Sequence, residues 1–254
     1  MVGTTHLLRR PRPRSLLRRR YPAVPPEQRE PGEPSPQDDP RAGYLLAYAV
    51  QNSRKGDAAP LWKAASEMRV RFVFPNRAEM LPVLKMAIEK NARDATAHFL
   101  LGSLLFSRGI VKPALAEWQQ AREINPKLPG LHYSLARALF TVEHKPEEAA
   151  AIYKEGIEED PGNSELYLGL NQLMKSRHEP ASARAAMMKR YPSAAAMPEP
   201  LVRMLVATLR EAGENEEANQ WIRTHHFSRA EGGAPPPVVS AAPAADTAQT
   251  SSEI

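Results

Sequence analysis

The chain has 254 residues, 42% hydrophobic and 25% charged, enough apolar material for one or two compact domains or a short repeat array. It contains no cysteine, which excludes disulfides, thiol nucleophiles and cysteine-held zinc. The net charge of +5 is uneven: residues 1–43 hold nine Arg against five Asp and Glu, leaving the rest of the chain close to neutral.

The opening stretch MVGTTHLLRRPRPRSLLRRRYP is basic but has no continuous apolar core of the kind a secretory signal needs. No run anywhere approaches the roughly 18 apolar residues of a membrane span, so the chain is expected in the cytoplasm. Residues 1–42 are rich in Arg and Pro without hydrophobic periodicity and are expected to be disordered or polyproline-like. Arg9, Arg10, Arg12, Arg14, Arg18, Arg19 and Arg20 precede the first acid, Glu27. Such a run can neutralise phosphates or lie on anionic lipid, so a tether to nucleic acid or membrane is the alternative function. Only Tyr21 is at hand for base stacking, and a solvated tail or an upstream extension from a misassigned start is the plainer reading.

From residue 43 to 231 apolar residues recur at three- and four-residue steps, punctuated by Gly and Pro, which predicts helices throughout. Ala58, Trp62 and Ala65 open the pattern. VRFVF at 70–74, ending at Pro75, is the one strand-like run and breaks the phase. Leu101, Gly102, Ala114, Trp118, Ala121 and Pro126 then form a set that returns as Leu135, Ala136, Ala149, Tyr153, Gly156 and Pro161. The displacement is 34 residues at first and 35 after a one-residue insertion near Glu143–Pro146. A looser third set runs from Tyr167 and Leu170 to Ala183 and Met187, and Gly213, Ala218 and Ile222 show half of a fourth. Small residues let two antiparallel helices approach, the aromatic fills the space beside the next pair, and the prolines stop the second helix. Pairs of this size cannot bury an apolar face alone and must stack. Residues 232–254 are small and Pro-rich and read as a disordered tail.

The period and the order Leu-Gly, Ala, aromatic, Ala, Pro resemble the tetratricopeptide repeat, best over 95–128 and 129–163. His98 and His132 stand in place of the first aromatic, and Leu105 and Leu139 in place of a tyrosine. The order of FVFPNRAEMLPVLKMAIEKN, the two good repeats and HHFSRAEGG also resembles the repeat section of large bacterial proteins that carry a β-rich domain of unknown function. The resemblance implies an all-α, right-handed superhelical solenoid over 43–231 and a non-enzymatic scaffold that binds a protein or peptide in a concave groove. By the repeat register Phe99, Ser103, Phe106, Tyr133, Arg137, Phe140 and Gln172 face that groove, where aromatic and Arg anchors dominate binding. Phe99, Phe106, Tyr133 and Phe140 also suit packing against a neighbouring helix such as 76–90, although Arg137 and Gln172 would be odd companions in a closed core. Phe99 and Ser103 stand where chaperone-binding relatives have the Lys and Asn of a carboxylate clamp, which disfavours chaperone tails. The array ends offer a second possibility, self-association.

No catalytic motif is present, and no cofactor or metal is expected. His178-Glu179 opens like a zincin sequence, but Ala181 and Ser182 occupy the place of its second His. His225 and His226 are adjacent, so on a helix they point about 100° apart, and no third ligand is apparent. A capping or surface role suits both motifs better.

Overall fold

A computed structural model describes residues 39–54, 56–68, 70, 77–225 and 227. The arginine arm, VRFVF beyond Val70, His226 and the tail from 228 lie outside the described residues. Among the described residues the regular structure is eleven α-helices and one 3-10 turn, Ala194–Ala196. The helices are α1 Pro40–Ser53, α2 Ala59–Glu67, α3 Met80–Lys90, α4 Ala95–Ser107, α5 Val111–Ile124, α6 Leu131–Thr141, α7 Pro146–Glu159, α8 Ser164–Ser176, α9 Ala181–Met188, α10 Glu199–Glu211 and α11 Asn215–Thr224. The class is all-α, built of antiparallel pairs, and it falls into two compact units that meet between Ser134 and Leu135, within α6.

Local chemistry sets the boundaries. Asp39, Asp94 and Asn163 cap α1, α4 and α8 by accepting from the backbone N–H of Arg41, Ala97 and Glu165. Helices α5 and α7 stop just before Asn125-Pro126 and Asp160-Pro161. One left-handed residue closes each hairpin: Arg54, Gly109, His144, His178 and Gly213, with φ of 52, 75, 55, 56 and 82°. After Gly109, His178 and Gly213 the next N–H returns to a carbonyl five residues back, Ile110 to Leu105, Glu179 to Met174 and Glu214 to Leu209. Lys145 instead reaches Leu139, six back, which places the extra residue of that repeat in the α6–α7 turn.

In the first unit α1 lies on α2, α3 packs on α1 and α4, and α4 lies on α5. Gly43 lets α1 approach α2 so closely that a Cβ there would stand 3.0 Å from the Cβ of Ala65. Tyr44 tilts against Trp62 at 6.2 Å between ring centroids. Gly102 does the same for α4 and α5, since an added Cβ would meet the Trp118 ring at 2.6 Å. Ala58, Trp62 and Ala65, spaced like Ala114, Trp118 and Ala121, form a buried stripe, 4, 6 and 0% exposed. A second such stripe, Met80, Leu84 and Ala87, lies 34 residues before Ala114, Trp118 and Ala121 and is equally buried.

In the second unit α7 packs on α8, α8 on α9, and α10 on α8, α9 and α11. Gly169 admits the Tyr153 ring, which a Cβ would meet at 2.5 Å. The third repeat corrects the sequence register. Ala183 is exposed and Met187 half-buried, whereas Arg184, Ala185 and Met188 are buried at 2, 0 and 0%. One more residue lies between His178 and α9 than between Gly109 and α5, so the stripe moves on by one.

Candidate partner-binding surface

The groove residues expected from the repeat register do not share one environment. Phe99 and Ser103 are corrected: both are buried in the first unit, 2 and 7% exposed. The Ser103 hydroxyl donates to the Phe99 carbonyl at 2.8 Å, and the Trp118 indole N–H reaches the same carbonyl at 3.1 Å and the Ser103 Oγ at 3.3 Å. These two residues hold the Trp118 ring in place. Phe106, two turns beyond Phe99 on the same side of α4, is half-buried and leans on Trp118 at 5.3 Å. Tyr133 is half-buried in the first unit. In the second unit Phe140 is half-buried, and Arg137 and Gln172 are exposed. Tyr133, Arg137 and Phe140 recur at steps of four and three along α6, the spacing of one helix face.

Two polar clusters were not evident in the sequence. Asp94, 3% exposed, caps α4 and also accepts the Tyr44 hydroxyl at 2.7 Å, tying α1 to the start of α4. Burial pushes its carboxyl above the ordinary value, against the opposing hydrogen bonds from Ala97 and Tyr44. Burial, with the Asp94 carboxylate beside it, drives the Tyr44 hydroxyl far above the usual tyrosine range. Nearby, His98 Nδ1 lies 2.6 Å from Glu117 and its Nε2 3.2 Å from the Ala92 carbonyl.

The second cluster replaces a small-residue contact. Where the earlier repeats set Gly102 with Ala114 and Ala136 with Ala149, the third sets Asn171 with Arg184. The Arg184 side chain, 3% exposed, reaches Asn171 Oδ1 at 3.4 Å, the Glu179 carbonyl at 3.3 Å and Glu211 of α10 at 2.7 Å. Hydrogen bonds from Arg184 and Lys175 hold the exposed Glu211 carboxyl below its ordinary value. A step of 35 residues from Ala149 leads to Arg184, a signal masked by the preference for a small residue there.

The histidines play turn and capping parts. His178 is the left-handed residue of the α8–α9 turn. His225 stacks on Trp221 at 4.7 Å and contacts the Trp221 carbonyl through Nδ1 at 3.1 Å and the Ala194 carbonyl through Nε2 at 2.7 Å. Among the described residues no group of three or more His, Asp or Glu stands where it could hold a metal ion, and no helix is long and apolar enough to cross a membrane.

No protein-family model matches the chain, and no curated protein matches it. Solved structures do. The chain is similar in fold to tetratricopeptide-repeat proteins. It matches PilW, a widely conserved type IV pilus biogenesis factor, at 14% identity over 73% of this chain and 75% of that one, with a TM-score of 0.45. It matches YrrB, a TPR protein with an unusual peptide-binding site, at 13% identity over 74% and 86%, TM-score 0.43. PilF of Pseudomonas aeruginosa is 13% identical over 72% and 88%, TM-score 0.46. Likenesses this distant carry no functional argument; function has to be argued from the side chains.

Proposed function

We propose that the chain is a non-enzymatic scaffold that binds a protein or peptide segment on the first helices of its repeats. Tyr133, Arg137 and Phe140 of α6 serve as contact residues, as do Phe106 on α4 and Gln172 on α8 within their own units, and Phe99 and Ser103 fix the Trp118 ring on which Phe106 leans. The observation that carries the reading is a difference in exposure. Most repeat aromatics are buried, Trp118 and Tyr153 on second helices and Phe99 and Tyr167 on first helices at 3% exposed or less, whereas Phe106, Tyr133 and Phe140 stay only half-buried. Half-exposed aromatics flanked by an exposed Arg are the composition of an interaction hot spot, and helices hold them ready without ordering on binding.

The test is capture from native lysate on the full chain, read by mass spectrometry, against the full chain carrying Tyr133→Ala, Arg137→Ala and Phe140→Ala. Circular dichroism checks that both are folded. A discrete protein retained by the wild type and lost from the folded triple variant is the expected result. Equal retention by the two chains refutes the assignment.

A further inference from the structure

Helix α10 has two unlike faces. Leu201, Val202, Leu205, Val206 and Leu209 are buried, 1% exposed or less, in the packing with α8, α9 and α11. On the other side Glu199, Pro200, Arg203, Met204 and Ala207 line a shallow, mainly apolar concavity. Met204, 38% exposed, is one of three large hydrophobic side chains this open among the described residues. Arg203 and Glu199 pair at 2.6 Å, so that wall carries little net charge.

The course of the chain after α11 leads to this concavity. His225 is tied back to Ala194, just before α10, and the Phe227 ring lies over the Arg203 guanidinium at 4.9 Å. The chain therefore leaves Phe227 at the edge of the concavity with 27 residues still to run. Its next apolar stretch is APPPVV, 234–239, within an uncharged run from 232 to 245. Ala234 lies seven positions beyond Phe227, a reach of up to about 23 Å, against about 12 Å for the eight-residue length of the groove. A polyproline segment is already extended and loses little freedom on docking, and an uncharged one leaves no ion to desolvate. The Met204 thioether adapts to such a surface.

We infer that residues 234–239 of this same chain dock along the Pro200–Met204–Ala207 face of α10 and close it to a second chain. Tethering supports this, because a short linker holds the segment at a millimolar effective concentration that a free partner must outcompete. The occupied face then limits self-association through the end of the array.

The chain has no cysteine, so Ala207→Cys in the full chain provides a single reporter thiol. Its rate of alkylation is compared with that of the same chain also carrying Val238→Asp and Val239→Asp, with Gln172→Cys as the exposed reference. Docking predicts a thiol at position 207 that reacts at least about ten-fold slower than the reference, independent of protein concentration, and that the two Asp substitutions bring to the reference rate. A thiol as reactive as the reference in the wild-type tail overturns the inference. So does protection that fades on dilution, which would assign the face to a second copy, or protection that survives the two Asp substitutions.

Discussion

Gly102→Ala tests the packing argument where two physical effects oppose each other. Gly102 lies inside α4, and helix propensity alone makes alanine better there by about 1 kcal/mol. The structure argues the reverse. An added Cβ would stand 2.6 Å from Trp118 Cδ1, 2.7 Å from its Nε1 and 2.9 Å from the Ala114 carbonyl oxygen. Ala114 O is backbone, and the indole is fixed by its hydrogen bonds to Phe99 and Ser103, so neither neighbour can move cheaply. Overpacking of this kind costs about 1–3 kcal/mol, and giving up the indole hydrogen bond about 1 more. The net expectation is a loss of about 1–3 kcal/mol after the propensity gain is subtracted. Urea denaturation of the full chain followed by circular dichroism measures it. The companion variant Gly102→Ala with Trp118→Leu, where the clash is removed, should lose less than the sum of the two single changes. A neutral or stabilised Gly102→Ala, or strict additivity in the pair, would refute the close-packing account.

The left-handed histidines give the opposite sign: His144→Gly and His178→Gly should each raise stability by about 0.5–1 kcal/mol, the relief of a left-handed side chain less the added freedom of glycine. A fall in the urea midpoint for either variant would contradict that. Arg184→Ala should cost about 2–3 kcal/mol, below the usual loss for a broken buried pair because the Glu211 side chain is 44% exposed, while Arg184→Met should cost less. Urea melts of the two should separate, and equal losses would mean that the lost polar contacts alone matter and the buried volume contributes nothing. The two shifted carboxylates run in opposite directions with pH. Asp94 is raised from 3.8, so its contribution is fully present below that value and is lost as pH rises through its folded pKa. Glu211 is lowered from 4.5, so its contribution is present above that value and is lost as pH falls through its folded pKa. The stability gap between wild type and Asp94→Asn should therefore shift in favour of the wild type on acidification, and the gap to Glu211→Gln against it, in melts from pH 7 to 3.

The repeat was legible in the sequence because its signals are local. Proline stops, the Gly102–Ala114 and Ala136–Ala149 spacings and the 35-residue return of the aromatic mark helix ends and contact faces without knowledge of any neighbour. The repeat of Met80, Leu84 and Ala87 keeps the 34-residue step but is masked in the sequence because Met stands for the small residue and Leu for the aromatic. The third repeat slipped by one because a single residue added to a turn leaves no compositional trace.

Composition, charge placement and periodicity by themselves determined the all-α class, the position of most hairpins and the absence of cysteine chemistry, since these follow from residue type and spacing along one chain. Tertiary structure alone decided which side of a first helix is covered. Phe99 and Phe106 are seven residues apart, two helical turns on the same helix, yet one is buried with its ring tip against Gly130 and the other only leans on Trp118. Burial depends on what a second helix brings to the contact, and spacing along the first cannot specify that. The same holds for Arg184, whose guanidinium is tolerated inside the third repeat only because Asn171, the Glu179 carbonyl and Glu211 converge on it from three other points in the chain.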